Sequence, residues 1–158
     1  MQDGAIRQTD RTQGFTLIEL VVAMAVFAIL LSQAMPLYQS MMGSMRARSA
    51  AERMLQDIQW AQSQAIAHNM SYMVTMSAGY EWDIINQSGA TVRGMSVADF
   101  NSAYPQVTLA AVSGILPVTI NSLGAPIPTG TYSVTFTPAA GARVWTLTIS
   151  PTGTGSIS

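Results

Sequence analysis

The chain offers little to catalyse with. Among 158 residues there is one histidine, no cysteine and no lysine. His68 falls at the end of an amphipathic helical pattern, where a cation interacts favourably with the negative end of the helix dipole. One His without Cys makes no zinc set, and no Ser-His-Asp arrangement stands out. Glu81 and Asp83 sit two apart on one strand and read as a solvated strand face. Two carboxylates are too few for calcium, a hard cation that takes six or more oxygens. Gly153-Thr154-Gly155 has no helix after it, so it is not a phosphate loop. No metal and no cofactor is expected. The carboxylate that stands out is Glu19, because of its surroundings.

A polar stretch, residues 1–14, ends at Gly14, and an apolar run starts at Phe15. Leu20 through Leu31 are twelve consecutive apolar residues. After Ser32 and Gln33 the apolar character resumes through Tyr38, so residues 15–38 are long enough to cross a bilayer. A carboxylate at the centre of such a segment costs about 2.5–3.5 kcal/mol, so it normally has a partner and a task. Glu19 lies near the start of the helix, where the positive end of the dipole favours it. A secretory signal peptide is the competing reading, with Leu31-Ser32-Gln33-Ala34 as its cut site. Against it, Arg7 and Arg11 are balanced by Asp3 and Asp10, and Glu19 lies inside the would-be apolar core. An ordinary signal anchor with a chance glutamate is the other alternative. Arg46, Arg48 and Arg53 follow the run as two arginines precede it, so charge does not orient the segment.

The sequence Gln13-Gly14-Phe15-Thr16-Leu17-Ile18-Glu19-Leu20 and its apolar continuation resemble the type IV prepilins and the pseudopilins of type II secretion. The resemblance implies a cut by prepilin peptidase between Gly14 and Phe15, and N-methylation of Phe15. It makes Glu19 the filament-assembly carboxylate. It also places residues 1–14 in the cytoplasm as a cleaved leader, and it matches Pro36 to a proline common in these helices.

The elements that must carry these residues follow from periodicity. One helix is expected from Phe15, with a kink at Pro36, which cannot donate to the carbonyl four residues back. Gly43 is a second weak point. From Arg46 to His68, Ala47, Ala51, Met54, Leu55, Ile58, Ala61, Ala65 and Ile66 recur at helical spacing, and Asn69 reads as the stop. The period then changes to two. Strands are expected from Met70, at Tyr80–Ile85, Ala90–Val97, Gln106–Val112, Ile115–Ile120, Tyr132–Thr137 and Arg143–Ser150. Turns are expected at Asn86–Gly89, Asn121–Gly124 and Pro138–Gly141, loops at 98–105 and 125–131, and a last short strand or frayed end after Ser150. Strands in a block after the helix give an α+β fold: a long N-terminal helix, membrane-embedded in its first half, packed on an antiparallel two-sheet β domain. The divisions are 1–14, 15–38, 39–69 for the amphipathic half of the helix, and 70–158 for a β-rich head. The eleven methionines read as packing residues, with Met41, Met42 and Met45 suited to a filament interior. Trp60, Trp82 and Trp145 read as core or sheet residues.

The run Ala61-Gln62-Ser63-Gln64-Ala65-Ile66 before a strand, and the Ser-Leu-Gly turn before Tyr132, resemble the GspH/FimT group of minor pilins and pseudopilins. Gln62, Gln64 and Ala67 stand where that group more commonly has charge. The resemblance implies a non-enzymatic structural subunit of a type IV pilus or type II secretion pseudopilus, and a minor one. Its partners would be prepilin peptidase, other pilins through the N-terminal helix, and the bacterial inner membrane before assembly, with the head in the periplasm. The alternatives are an anchored domain that never polymerises, a filament-tip module for DNA or surfaces, and a major pilin. Only 9 % of residues are charged and no basic cluster appears, so no nucleic acid is expected for the isolated head.

Overall fold

The computed structural model describes residues 15–76, 80–113, 117–139 and 142–158. Residues 1–14, the leader and Gly14 among them, lie outside the described residues. So do Gly79, the start expected at Ile115, and part of the turn expected at 138–141. The chain divides into two units, Met1–Leu37 and Tyr38–Ser158.

Helix α1 runs from Leu17 to His68, 52 residues, and neither Pro36 nor Gly43 ends it. Gly43 is therefore no helix break. A Cβ there would stand 3.3 Å from the Ala142 Cβ and 3.5 Å from that of Pro138, so the glycine lets neighbouring chain approach closely. The helix stops as read: Asn69 has φ 51°, and the Met70 N–H reaches back to the Ala65 carbonyl at 3.2 Å, a Schellman-type closure.

In the first unit the apolar side chains from Phe15 to Leu37 are exposed, and α1 is long and apolar enough to cross a membrane. In the second unit the same helix is one-sided. Ala47, Ala50, Ala51, Met54, Ile58, Ala61 and Ala65 are buried. Five of those seven are alanine, which lets sheet side chains come close to the helix backbone.

The strands form two antiparallel sheets. One has the order β3-β2-β1-β5-β6, from β1 (Tyr72–Thr75), β2 (Tyr80–Asn86), β3 (Thr91–Ser96), β5 (Val118–Ile120) and β6 (Pro126–Ile127). The other has the order β4-β7-β8-β9, from β4 (Thr108–Ser113), β7 (Tyr132–Thr137), β8 (Trp145–Ile149) and β9 (Gly155–Ile157). Alternation sets the faces: in β7, Tyr132, Val134 and Phe136 are buried while Ser133, Thr135 and Thr137 face outward. One core gathers these with Trp82, Ile84, Phe100 and Leu147 against the helix alanines. Each fully buried large apolar side chain stabilises by about 1.5–3 kcal/mol.

Three expectations are corrected. Residues 98–105 are not a loop: α2 (Val97–Ala103) starts there, capped by Ser96, whose Oγ accepts from the Asp99 N–H at 3.1 Å. Its Phe100 is fully buried and meets the Trp82 ring edge-on. Residues 125–131 contain β6. Asp83 does not lie on a solvated face; it is 1 % exposed. The β2–β3 register runs unbroken through Trp82, Asp83 and Ile84, so Asp83 lies on the face opposite Trp82 and Ile84 and is buried there.

Candidate processing and assembly site

Thr16 and Glu19 close the start of α1 as a reciprocal cap. The Glu19 N–H donates to Thr16 Oγ1 at 3.3 Å, and Thr16 N–H and Oγ1 donate to Glu19 Oε2 at 3.2 and 3.1 Å. This is the capping box, which satisfies backbone donors that the first turn otherwise leaves unpaired. The pattern Thr-x-x-Glu was the sequence signal for it. Phe15, just before the cap, is 89 % exposed. Glu19 is exposed too, beside Ile18, Val22 and Ala23 on one helix surface. Of the residues singled out in the sequence, the described unit thus brings together Phe15 and Glu19. Pro36 lies nearly five turns beyond Glu19 along the helix, at about 3.6 residues per turn.

The arrangement is a cap at the start of a helix. It holds a carboxylate, presented at the end of a helix and surrounded by apolar side chains. Such a group can bind a cation in a medium where Coulomb attraction is strong.

The head contains a charged cluster that sequence reasoning missed. Asp57, fully buried on the core face of α1, accepts from Trp82 Nε1 at 3.0 Å and from Arg93 Nε at 2.5 Å. Arg53 Nε stands 3.5 Å from its other side. Arg93 also lies over the Trp60 ring, 5.1 Å from its centroid. A buried carboxylate is tolerable only when paired and hydrogen-bonded, and here it is both. The signal was available in the spacing, since residue 57 falls on the stripe of Met54, Ile58 and Ala61. Among the described residues no group of three or more His, Cys, Asp or Glu is placed to hold a metal.

Residues 50–153 match the family of type II transport protein GspH, and residues 9–32 match the prokaryotic N-terminal methylation motif. No curated protein matches the chain. The fold recurs in solved structures. The type IV minor pilin FimU of Pseudomonas aeruginosa aligns with a TM-score of 0.55 at 19 % identity, over 70 % of this chain and 87 % of that one. The minor pseudopilin EpsH from the type 2 secretion system of Vibrio cholerae aligns with a TM-score of 0.53 at 12 % identity, over 72 % of this chain and 96 % of that one.

Proposed function

The chain belongs to the GspH family of type II transport proteins, and on that premise we propose how it works. It is a structural subunit of a type IV pilus or of a type II secretion pseudopilus. The observation that carries this is the first unit. Beside the methylation motif, the apolar side chains of a whole membrane-length helix segment stand exposed. That surface is stable in a bilayer, or against equivalent helices from other subunits.

The proposed sequence of events begins in the inner membrane, which residues 15–38 span, with the head on the periplasmic side. Prepilin peptidase removes residues 1–14 after Gly14, and the new amino terminus at Phe15 is methylated. The methylated amine keeps its positive charge. In the low dielectric among packed helices, it pairs with the Glu19 carboxylate of a neighbouring subunit, which fixes axial register. Pro36 leaves the Ser32 carbonyl without its helical donor, so α1 can bend there as it packs. The mechanism is assembly; no catalytic step is assigned to the chain. Its share in the filament is a minor one. Filaments sheared from cells and quantified by mass spectrometry test both statements. The chain is expected in the filament fraction at a small share. Absence from that fraction would overturn assembly, and a dominant share would overturn minor status.

A further inference from the structure

The order β4-β7-β8-β9 leaves β9 at an edge of its sheet. Its hydrogen bonds fix which backbone groups face outward. Ser158 exchanges both bonds with Thr146, at 2.9 and 3.0 Å, and the Ser150 N–H reaches the Thr154 carbonyl at 2.9 Å. In an antiparallel ladder such bonded pairs alternate with pairs whose N–H and C=O point to the other side. Gly155 and Ile157, opposite Ile149 and Leu147, are of the second kind. Both turn their N–H and C=O away from β8, and among the described residues no strand takes them. Natural sheet edges are commonly blunted by charge or proline. Residues 152–158 hold neither. Gly155 also lines a groove of about 400 Å³ with Gln59 and Gln62, so there is open space beside the strand.

We propose that β9 of a second copy of this chain occupies the edge, antiparallel, with a two-fold axis through Ser156. The strand is its own complement there. Gly155 stands opposite the second copy's Ile157, and Ile157 opposite its Gly155. Each copy offers two outward N–H and two outward C=O groups, so four hydrogen bonds close the pair. The side chains agree with this register. Gly155 and Ile157 share one face, where Ile157 packs on the core and a Cβ on Gly155 would collide with Leu55 Cδ1. An isoleucine opposite a glycine meets no rival side chain, and glycine is the residue that lets another backbone come close. Ser156 lies on the other face, exposed, directly opposite its own copy. An extended segment of another protein would find the same backbone groups. It would lack the glycine–isoleucine match that this strand supplies to itself. The pairing draws on the head alone and stands whether or not the chain enters a filament.

The chain has no cysteine, so a single introduced one reports on the pairing. Full-length Ser156→Cys protein in native membranes is oxidised, and dimer is followed by non-reducing electrophoresis. Across the proposed axis the two residues form a non-bonded pair with Cα atoms about 4.5 Å apart, within the range a disulfide needs. Thr154→Cys is the control, because its two copies would lie four residues out of register, about 13 Å apart. Ser156→Cys is expected to cross-link about tenfold faster, since only its sulfurs meet without backbone movement. Co-purification of two differently tagged full-length chains from detergent gives a second reading. Ser156→Asp in both chains sets like charges directly opposite each other and should abolish recovery; Ser156→Asp with Ser156→Lys should restore it. Equal cross-linking at both positions, or recovery that ignores the charges, would show that the apolar helices hold the copies together and would overturn the strand pairing. A Ser156→Cys chain that stays monomeric, or couples only to a different protein, would overturn the second copy as occupant.

Discussion

At the scale of single residues, Glu19 carries two duties that substitution can separate. It caps its own helix through Thr16, and it is the carboxylate proposed to meet a neighbour's amine. Glutamine serves in a capping box nearly as well as glutamate but brings no charge. Glu19→Gln and Glu19→Ala are therefore both expected to insert in the membrane and to be missing from sheared filaments. Breaking a buried charge pair costs about 3–5 kcal/mol, against about 1 kcal/mol for a lost cap. Incorporation of the Gln variant at the normal level, with loss of the Ala variant, would show that only the cap matters. The cleavage reading is separate. Amino-terminal sequencing of the mature protein should begin at Phe15, methylated, and a bulky residue at Gly14 should leave the precursor uncut. A mature start at Met35, or an uncut Met1, would remove the processing step. Thr16, by contrast, shows what went unread although visible: the Thr-x-x-Glu spacing is itself a helix-start signal.

At the scale of elements, Asp57 joins α1 to the sheet of β2 and β3 through Trp82 and Arg93. Asp57→Ala removes the acceptor that two arginines and an indole share. Arg93 and Arg53 keep 31 % and 43 % of their side-chain surface exposed, so they can turn to water and soften the loss. A destabilisation of about 3 kcal/mol is expected, at the low end for breaking a buried pair. Urea unfolding followed by Trp fluorescence measures it; a change under about 0.5 kcal/mol, the size of an ordinary surface substitution, would mean that the cluster holds nothing in place. This cluster and the hairpins differ in how far sequence showed them. The turns at Asn86–Gly89 and Asn121–Gly124 were legible because asparagine bonds local backbone N–H groups and glycine takes the positive φ that ends the loop, 83° and 79° here. Ser150-Pro151-Thr152-Gly153 has the same closure, with a Ser150 N–H to Thr154 carbonyl bond, and it directs β9 back along β8. The sequence left this stretch open between a last short strand, which β9 is, and a frayed end, because Pro and Thr near the end of a sequence look like fraying. α2 was missed because one polar cap and one buried Phe100 in seven residues give too short a pattern for periodicity to reveal. Asp57 was passed over because a charge on an apolar stripe acquires meaning only when a distant strand supplies its partner. Arg93 is 36 positions away.

At the scale of the whole molecule, the two units ask for different solvents, and the chain should be separable accordingly. Deleting residues through Gly43 removes the exposed apolar segment and keeps the buried stripe from Ala47 to Ala65 with both sheets. The shortened chain is expected to be soluble and to unfold cooperatively; aggregation without a cooperative transition would place the boundary elsewhere. The same head should not bind DNA on its own. Of its five arginines, Arg53 and Arg93 are turned to Asp57, and Arg48 is paired with Glu52. That leaves Arg46 and Arg143 for phosphates, and the tail Thr152-Gly153-Thr154-Gly155-Ser156 adds no cation. Affinity for duplex DNA grows with the number of phosphates neutralised, and log K falls with log salt by about 0.9 for each. Two contacts give a shallow slope and too little binding energy to survive physiological salt. Fluorescence anisotropy with a labelled duplex at physiological salt is expected to show no saturation in the micromolar range. Micromolar binding with a slope of four or more phosphates would mean that charges now paired inside the head open toward nucleic acid, and it would bring back the reading of the chain as a DNA-capturing module at the filament tip.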